Sequence, residues 1–282
     1  MAESATMNSE LVPELQVVRH GARERVLPDA AEGKVEIWKG NDGFEAYGYS
    51  AAGLHWAHLP GTASFCFAAD SNVVAIPEPD VPPEIVEDAY FRNVLPLVIQ
   101  LRGHEVLHAS AVVTRAGLLV ICGVSGAGKS TFAYGLSQRG CSLWADDAVA
   151  LDIDEAPITA FPVPFSLGLR SDASRFFGRE SRIAATTVAA RSVPFAVMTL
   201  EPALGHASRV VDITSLEPAA AFTALLPHAY FFRLSDAARN AVMLDRYLRL
   251  ASSVPTFAVR FRRGLDEMPA VLDEIEERVL AA

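Results

Sequence analysis

From about Glu14 to Pro77 short apolar runs alternate with turn residues. The clearest are Val35-Glu36-Ile37-Trp38, Phe44-Glu45-Ala46-Tyr47-Gly48-Tyr49, Gly53-Leu54-His55-Trp56, Ser64-Phe65-Cys66-Phe67 and Val73-Val74-Ala75-Ile76. A period of two in runs this short predicts strands, and Gly40-Asn41-Asp42-Gly43 predicts a hairpin turn between two of them. Pro77, Pro79, Pro82 and Pro83 make a stiff connector. Beyond it Ile85, Ala89, Tyr90, Val94, Leu95 and Val98 recur at helical spacing. They predict a helix over Pro83 to Leu101 that Pro96 kinks or splits.

The pattern then changes. Val106 to Thr114 and Leu118 to Cys122 read as a hairpin across Arg115-Ala116-Gly117. Ser130 to Arg139 reads as a helix with Phe132, Ala133 and Leu136 on one face and Gly140 as its stop. Cys141 to Ala145 reads as the next strand. Further strands are predicted at Ala148–Ile153, Phe195–Glu201 and Thr256–Phe261, and helices at Pro218–Leu226, Ala237–Ser252 and Leu265–Ala281. The stretch from Ala160 to Pro194, with its prolines, glycines and arginines, predicts an irregular loop region. Together these give a small mostly-β N-terminal region over residues 1–80 and an α/β domain over residues 81–282.

Composition narrows the function classes. Apolar residues make up 51% of the 282, enough for a substantial core. The net charge of −10 argues against a nucleic-acid partner or an acidic membrane surface, both of which select clustered Lys and Arg. No apolar run approaches the ~18 residues that span a bilayer. The first residues, Met1-Ala2-Glu3-Ser4-Ala5-Thr6, lack the basic and apolar segments of a secretory signal. Cys66, Cys122 and Cys141 are odd in number and far apart, which predicts free thiols in a reducing cytoplasm.

The chemistry centres on Gly123-Val124-Ser125-Gly126-Ala127-Gly128-Lys129-Ser130, followed by Thr131. This is the P-loop spacing between a strand and a helix. Its glycines let backbone N–H groups surround phosphate oxygens, its lysine reaches the β/γ-phosphates, and its serine hydroxyl ligates Mg²⁺. A helix N-terminus behind the loop adds partial positive charge. Asp146 and Asp147 end the next strand and return to the phosphate end of the sheet. One can hold Mg²⁺ while the other takes the proton of an attacking hydroxyl; the residues alone do not say which. His108 lies in the strand that precedes the P-loop strand, beside the phosphate-binding element. Arg170, Arg175, Arg179 and Arg182 form a basic cluster in an acidic chain, from which Arg170 is the first candidate to clamp a triphosphate.

The segment from His108 to Asp147 resembles the catalytic core of the HPr kinase/phosphorylase family. That family has a histidine, a hairpin, a P-loop of the form G-x-S-G-x-G-K-S, a helix ending in Arg-Gly, and a strand ending in Ala-Asp-Asp. Arg139-Gly140 and Leu143-Trp144-Ala145-Asp146-Asp147 supply the last two. The resemblance implies a P-loop kinase core of the HPr kinase/phosphoenolpyruvate carboxykinase-like type, a mixed sheet with flanking helices. It makes Lys129 the phosphate-contacting lysine, Ser130 a Mg²⁺ ligand, Asp147 the proton acceptor, His108 a phosphate-proximal residue and Asp146 a supporting carboxylate. It implies ATP and Mg²⁺, and a homo-oligomer, since the relatives form oligomers.

The departures are informative too. The family's Glu-Ile-Arg-Gly segment has its nearest counterpart in Ser166-Leu167-Gly168-Leu169-Arg170, where Arg170 remains and the Mg²⁺-holding glutamate is missing. The family's Gly-Arg-Asn segment is also missing; Ala238-Arg239-Asn240 is a poor match on a predicted helix. HPr is therefore a doubtful acceptor. The chain looks closer to the HPr-kinase-like proteins of peptide modification, including kinases of lasso-peptide precursors. The expected activity is transfer of the γ-phosphate of ATP to a serine of a peptide or protein. A kinase of a small hydroxylated molecule and a nucleotide-binding regulatory module are the alternatives. Arg19-His20-Gly21 resembles the opening of a histidine phosphatase site, but no His-Asp dipeptide follows to complete it.

Overall fold

A computed structural model describes residues 12–18, 34–39, 45–51, 53–180, 182–184, 190–203, 209–230 and 236–281. Arg19-His20-Gly21 and the predicted turn at Gly40–Gly43 lie outside the described residues. The described residues form two compact units, one before His104 and one from His104 onward.

The first unit is built on a six-stranded sheet. Its strands are β1 (Leu15–Val17), β2 (Lys34–Lys39), β3 (Glu45–Ala51), β4 (Leu54–Leu59), β5 (Ala63–Phe67) and β6 (Val73–Pro77), in the order β1-β6-β5-β4-β3-β2. β2 to β6 run antiparallel, and β1 joins β6 in parallel. The alternation of the sequence reappears as burial: Ala63, Phe65, Phe67, Val73 and Ala75 are all buried on one face.

The predicted helix is split, as Pro96 requires. Helix α1 (Pro83–Ala89) runs into a π-turn (Tyr90–Val94) and then α2 (Leu95–Leu101). Leu95 N–H reaches back to the Tyr90 carbonyl, and Pro96, with no N–H to give, follows directly. The buried side is Val86, Tyr90, Val94 and Val98; Ile85 is exposed. Adjacent Ile85 and Val86 both suit an apolar face, so periodicity alone chose the wrong one. The Tyr90 hydroxyl donates to the Pro13 carbonyl (2.6 Å), and Arg102 donates to Ala69 and Ser71 carbonyls, fastening the helix to strand ends.

The second unit contains β7 (Glu105–Leu107), β8 (Ala109–Val113), β9 (Leu118–Gly123), α3 (Lys129–Ser137), β10 (Ser142–Ala145), β11 (Val149–Asp152) and β12 (Thr159–Phe161). It continues with β13 (Ser166–Gly168), α4 (Ser171–Phe177), β14 (Arg182–Ala184), β15 (Pro194–Ala203), β16 (Val211–Leu216), α5 (Pro218–Leu225) and a 3-10 turn (Leu226–His228). It closes with α6 (Ala237–Ser253), β17 (Thr256–Arg262) and α7 (Met268–Ile275), which runs into a π-turn (Glu276–Leu280). The main sheet has the order β10-β8-β9-β15-β17-β16; β9, β15 and β17 are parallel, and the outer strands pair antiparallel. β9 is buried at every position, as its unbroken apolar run demands of a central strand. Phe132, Ala133 and Leu136 of α3 and Val271, Leu272 and Ile275 of α7 pack with Leu119, Ile121, Met198, Leu200 and Val259 of the sheet. The chain is thus a mixed α/β protein with mixed sheets and flanking helices. Among the described residues no helix is long and apolar enough to cross a membrane.

Two departures from the sequence reading position the site. The strand expected over Val106–Thr114 breaks at His108. β8 stays in the main sheet, while β7 joins a second sheet of order β12-β11-β7. Its partner breaks at the same level: β10 pairs with β8 through Ala145↔Ala111, and β11 pairs with β7 from Val149↔Leu107. The Ala160–Pro194 stretch, expected to be irregular, carries β12, β13, α4 and β14. Leu167, Leu169 and Ala173 bury themselves against Tyr134 of α3, and Phe177 meets the Tyr134 ring edge-on at 4.8 Å.

β7 is tied to α6 by charge. Glu105, 1% exposed, is held by Arg239 at 2.8 Å and Arg246 at 3.0 Å. Removing this buried carboxylate takes away the Arg239 partner and leaves Arg246 with Asp154. Glu105→Ala is expected to lower unfolding stability by about 3 kcal/mol, measured as a drop in the urea midpoint at constant m-value.

Candidate active site

β9 delivers Gly123 to the edge of the core, and α3 begins at Lys129. Between them the chain turns through Gly126 (φ 79°) and Gly128 (φ 105°), left-handed conformations that glycine adopts without a Cβ penalty. The first helical bond is Phe132 N–H to the Gly128 carbonyl (2.8 Å). The N–H groups of the preceding turn have no acceptor within the helix and lie at the positive end of its dipole. This strand, loop and helix geometry matches the sequence expectation for an anion cradle.

Lys129 folds back under the loop. Its Nζ donates to the Gly123 carbonyl (2.9 Å) and to His108 Nε2 (3.0 Å). The lysine is 7% exposed. Burial holds its ammonium below the ordinary lysine range, opposed by the negative charges of Asp147 and Asp146. Because His108 Nε2 accepts from an ammonium, the imidazole proton belongs on Nδ1, which donates to the Asp147 carbonyl (3.0 Å). The hydrogen bonds therefore define a neutral His108 in one tautomer.

Asp146 lies where both strand pairs break. It is 4% exposed and accepts three hydrogen bonds. Oδ1 takes the Ser130 hydroxyl (2.8 Å) and the Ser110 hydroxyl (2.6 Å), and Oδ2 takes the Gly168 N–H (3.1 Å). Burial first, then the neighbouring Asp147 charge, push its carboxyl up to about 6, while the three hydrogen bonds pull the other way. Asp147 follows with φ 65°, a left-handed conformation that costs a residue bearing a Cβ about 1–2 kcal/mol and that Asp tolerates better than most. Its carbonyl also accepts the Tyr230 hydroxyl (3.3 Å).

Arg170 reaches the same place from β13. A Cβ placed on Gly126 would stand 3.0 Å from Arg170 Nη2, so the guanidinium lies directly against the P-loop. The small core of Tyr134, Leu167, Leu169 and Ala173 anchors the segment from which it projects. Arg175 instead turns back to the Ser171 carbonyl of its own helix (3.1 Å). The Arg182 side chain lies outside the described residues. Val124, Ser125 and Gly126 are exposed at the loop tip, whereas Ala127 is buried beneath it, and Thr131 is half-buried on the first turn of α3.

Sequence reasoning missed four contributors. Ser110 is fully buried and sits two residues after His108, a strand spacing that puts both side chains on one face. Gly168 contributes only its N–H, which no side-chain pattern announces. His228 and Tyr230 arrive from a distant segment that adds itself to β7 through the Leu107↔Ala229 bridge and the bond of His108 N–H to the His228 carbonyl (2.7 Å). His228 is 8% exposed; burial, then the charge of Lys129, then His108, lower its imidazole to about 4, so it is neutral at pH 7.

The residues fit Mg²⁺. Ser130 and Asp146 present hard oxygen donors 2.8 Å apart. No group of three or more His, Cys, Asp or Glu side chains gathers into a metal cage among the described residues. Mg²⁺ habitually takes one or two protein oxygens and completes its shell with phosphate and water, so this pair is sufficient.

No family model matches the chain, and no curated protein does. Among solved structures it is similar to the HPr(Ser) kinase/phosphatase from Coxiella burnetii, at 13% identity and a TM-score of 0.35, over 62% of this chain and 91% of that one. A likeness this loose carries no functional weight, and the assignment of roles rests on the chain's own residues.

The Asp146 carboxyl yields a pH prediction. Between the ordinary carboxylate range and about 6 the folded protein keeps a proton on Asp146 that the unfolded chain has lost. That group therefore stabilises the fold at low pH, and the contribution is lost as pH rises through about 6. A cation needs the ionised form. A site that holds Mg²⁺-ATP through Asp146 would bind it more tightly as pH rises through that range and release a proton, beyond what ATP itself releases. Titration calorimetry in buffers of different ionisation heat reads this, and the excess proton should vanish in Asp146→Asn.

Proposed function

We propose that this chain is an ATP- and Mg²⁺-dependent phosphotransferase that moves the γ-phosphoryl group to a hydroxyl, with a serine of a peptide or protein as the acceptor. The observation that carries this reading is the convergence of the P-loop Lys129 and Ser130 with Asp146, Asp147 and His108. Binding of a Mg²⁺-nucleotide alone would use Asp146 but would need neither Asp147 nor His108.

The roles follow from the geometry. The backbone N–H groups at the start of α3 suit the phosphate oxygens of ATP, while that of Ala127 closes the loop onto the Val124 carbonyl (3.0 Å). Lys129 hydrogen-bonds a carbonyl and an imidazole and no carboxylate, which suits it to the β/γ-phosphates. Arg170, already against Gly126, suits a second contact to the same oxygens. Ser130 and Asp146 would hold Mg²⁺, which supplies charge neutralisation between the β- and γ-phosphates.

Asp146 already accepts three hydrogen bonds and is better suited to holding than to abstracting. Asp147 is accordingly the general base. Its carboxylate takes the hydroxyl proton as the acceptor oxygen bonds to the γ-phosphorus, and the bond from phosphorus to the β–γ bridging oxygen breaks, releasing ADP. The serine acceptor follows from the motif resemblance between His108 and Asp147, and the substrate-reading residues differ from that family's.

The test is incubation with γ-labelled ATP and Mg²⁺ against a host extract, with mass spectrometry of whatever gains phosphate. Asp147→Asn is expected to lower transfer by at least about a hundredfold while ATP affinity stays within a few-fold. Label on a metabolite would reassign the acceptor. Transfer near wild type in Asp147→Asn would remove Asp147 from the base role.

A further inference from the structure

The Asp147 carbonyl is held from two directions. His108 Nδ1–H occupies one lone pair at 3.0 Å and the Tyr230 hydroxyl the other at 3.3 Å. Tyr230 also sets its ring edge-on to the His108 imidazole, with centroids 6.0 Å apart and planes at 84°. The ring has a fixed origin, since Tyr230 N–H donates to the Val106 carbonyl (2.9 Å) and Ala229 bridges Leu107. Asp147 itself has φ 65°, and Asp146 before it is fastened by three hydrogen bonds. With the preceding residue fixed and the carbonyl pinned, the direction of the Asp147 Cα–Cβ bond is set.

We propose that Tyr230 is a positioning residue for phosphoryl transfer. Its hydroxyl holds the Asp147 backbone in the left-handed conformation that presents the carboxylate to the acceptor, and its ring keeps His108 in register with Lys129. This rests on the phosphotransferase reading above. Tyr230 contributes no proton and touches no phosphate. It acts on the base through one carbonyl and on the lysine through one imidazole. Two substitutions separate its parts: Tyr230→Phe keeps the ring and removes the hydroxyl, and Tyr230→Leu removes both.

The experiment combines three readouts on the full chain: turnover of γ-labelled ATP with Mg²⁺ and water as the acceptor, thermal stability, and the ¹⁵N spectrum of the histidine side chains. Misplacing a catalytic group slightly lowers the chemical step and leaves ground-state binding intact. Tyr230→Phe is expected to lower kcat about tenfold with KM for ATP within about twofold, and Tyr230→Leu to lower kcat about a hundredfold. In both, the His108 Nδ1–H should exchange with solvent faster than in the wild type. Three results overturn the proposal: an unchanged kcat in Tyr230→Phe, a loss of kcat that only follows a loss of thermal stability, or a His108 signal that does not change. The phosphotransferase reading fails separately, through a wild type that transfers label to nothing in the host extract. The His108 exchange then still decides whether Tyr230 anchors the Asp147 turn.

Discussion

Everything at the candidate site is arranged about one buried carboxylate. An ionised carboxyl taken out of water is costly unless donors surround it, and Asp146 recruits its donors from three separate elements. Ser110 comes from β8, Ser130 from the first turn of α3, and the Gly168 N–H from β13. None of the three is a sequence neighbour of Asp146. Their meeting therefore fixes the depth of the P-loop helix, the register of the preceding hairpin and the position of the segment carrying Arg170. The residual cost is visible in the carboxyl itself, which titrates near 6 despite three hydrogen bonds. Under the phosphotransferase reading, a cation would gain from a carboxylate whose burial is incompletely compensated.

The second constraint is the backbone ladder. Where β8 and β10 pass their partnership to β7 and β11, the chain around His108 and around Asp146 to Ala148 leaves the regular pairing. The freed groups must be satisfied elsewhere. His108 N–H goes to the His228 carbonyl, and the Asp147 carbonyl goes to a histidine and a tyrosine. The polar groups released by the crossover become the structural support of the site. This explains why a tyrosine far along the chain reaches Asp147 at all.

Much of this was legible in the sequence. Local periodicity identified β3 to β6, the Pro96 break and the helix after the P-loop, because each is decided by residues within a few positions. The strand, loop and helix from Leu118 to Ser137, and the meeting of Asp146 with Ser130, were legible because fixed residue types stand there at fixed spacing. The rest depends on distant contacts. Nothing near Leu107-His108-Ala109 says that one strand will serve two sheets. The residues from Ala160 to Pro194 look irregular until Tyr134 gives Leu167 and Leu169 something to pack against. Gly168 acts through its backbone, and the role of Tyr230 follows from a bridge to β7.

The charge balance of the pocket connects these features to the need for a metal. Lys129 and Arg170 supply two cations at the loop, and Asp146 and Asp147 supply two carboxylates beside it. Near neutral pH they roughly cancel, so the pocket offers a triphosphate directional hydrogen bonds and a helix dipole but little net attraction. Under the phosphotransferase reading, a divalent ion is what tips that balance. Held by Ser130 and Asp146, such an ion would supply positive charge to the phosphates, with Asp147 left as the carboxylate able to take a proton. On that reading the adjacent aspartates differ in role because their surroundings differ. One is wrapped in donors at the break in the sheet. The other sits on a left-handed turn held by its own carbonyl.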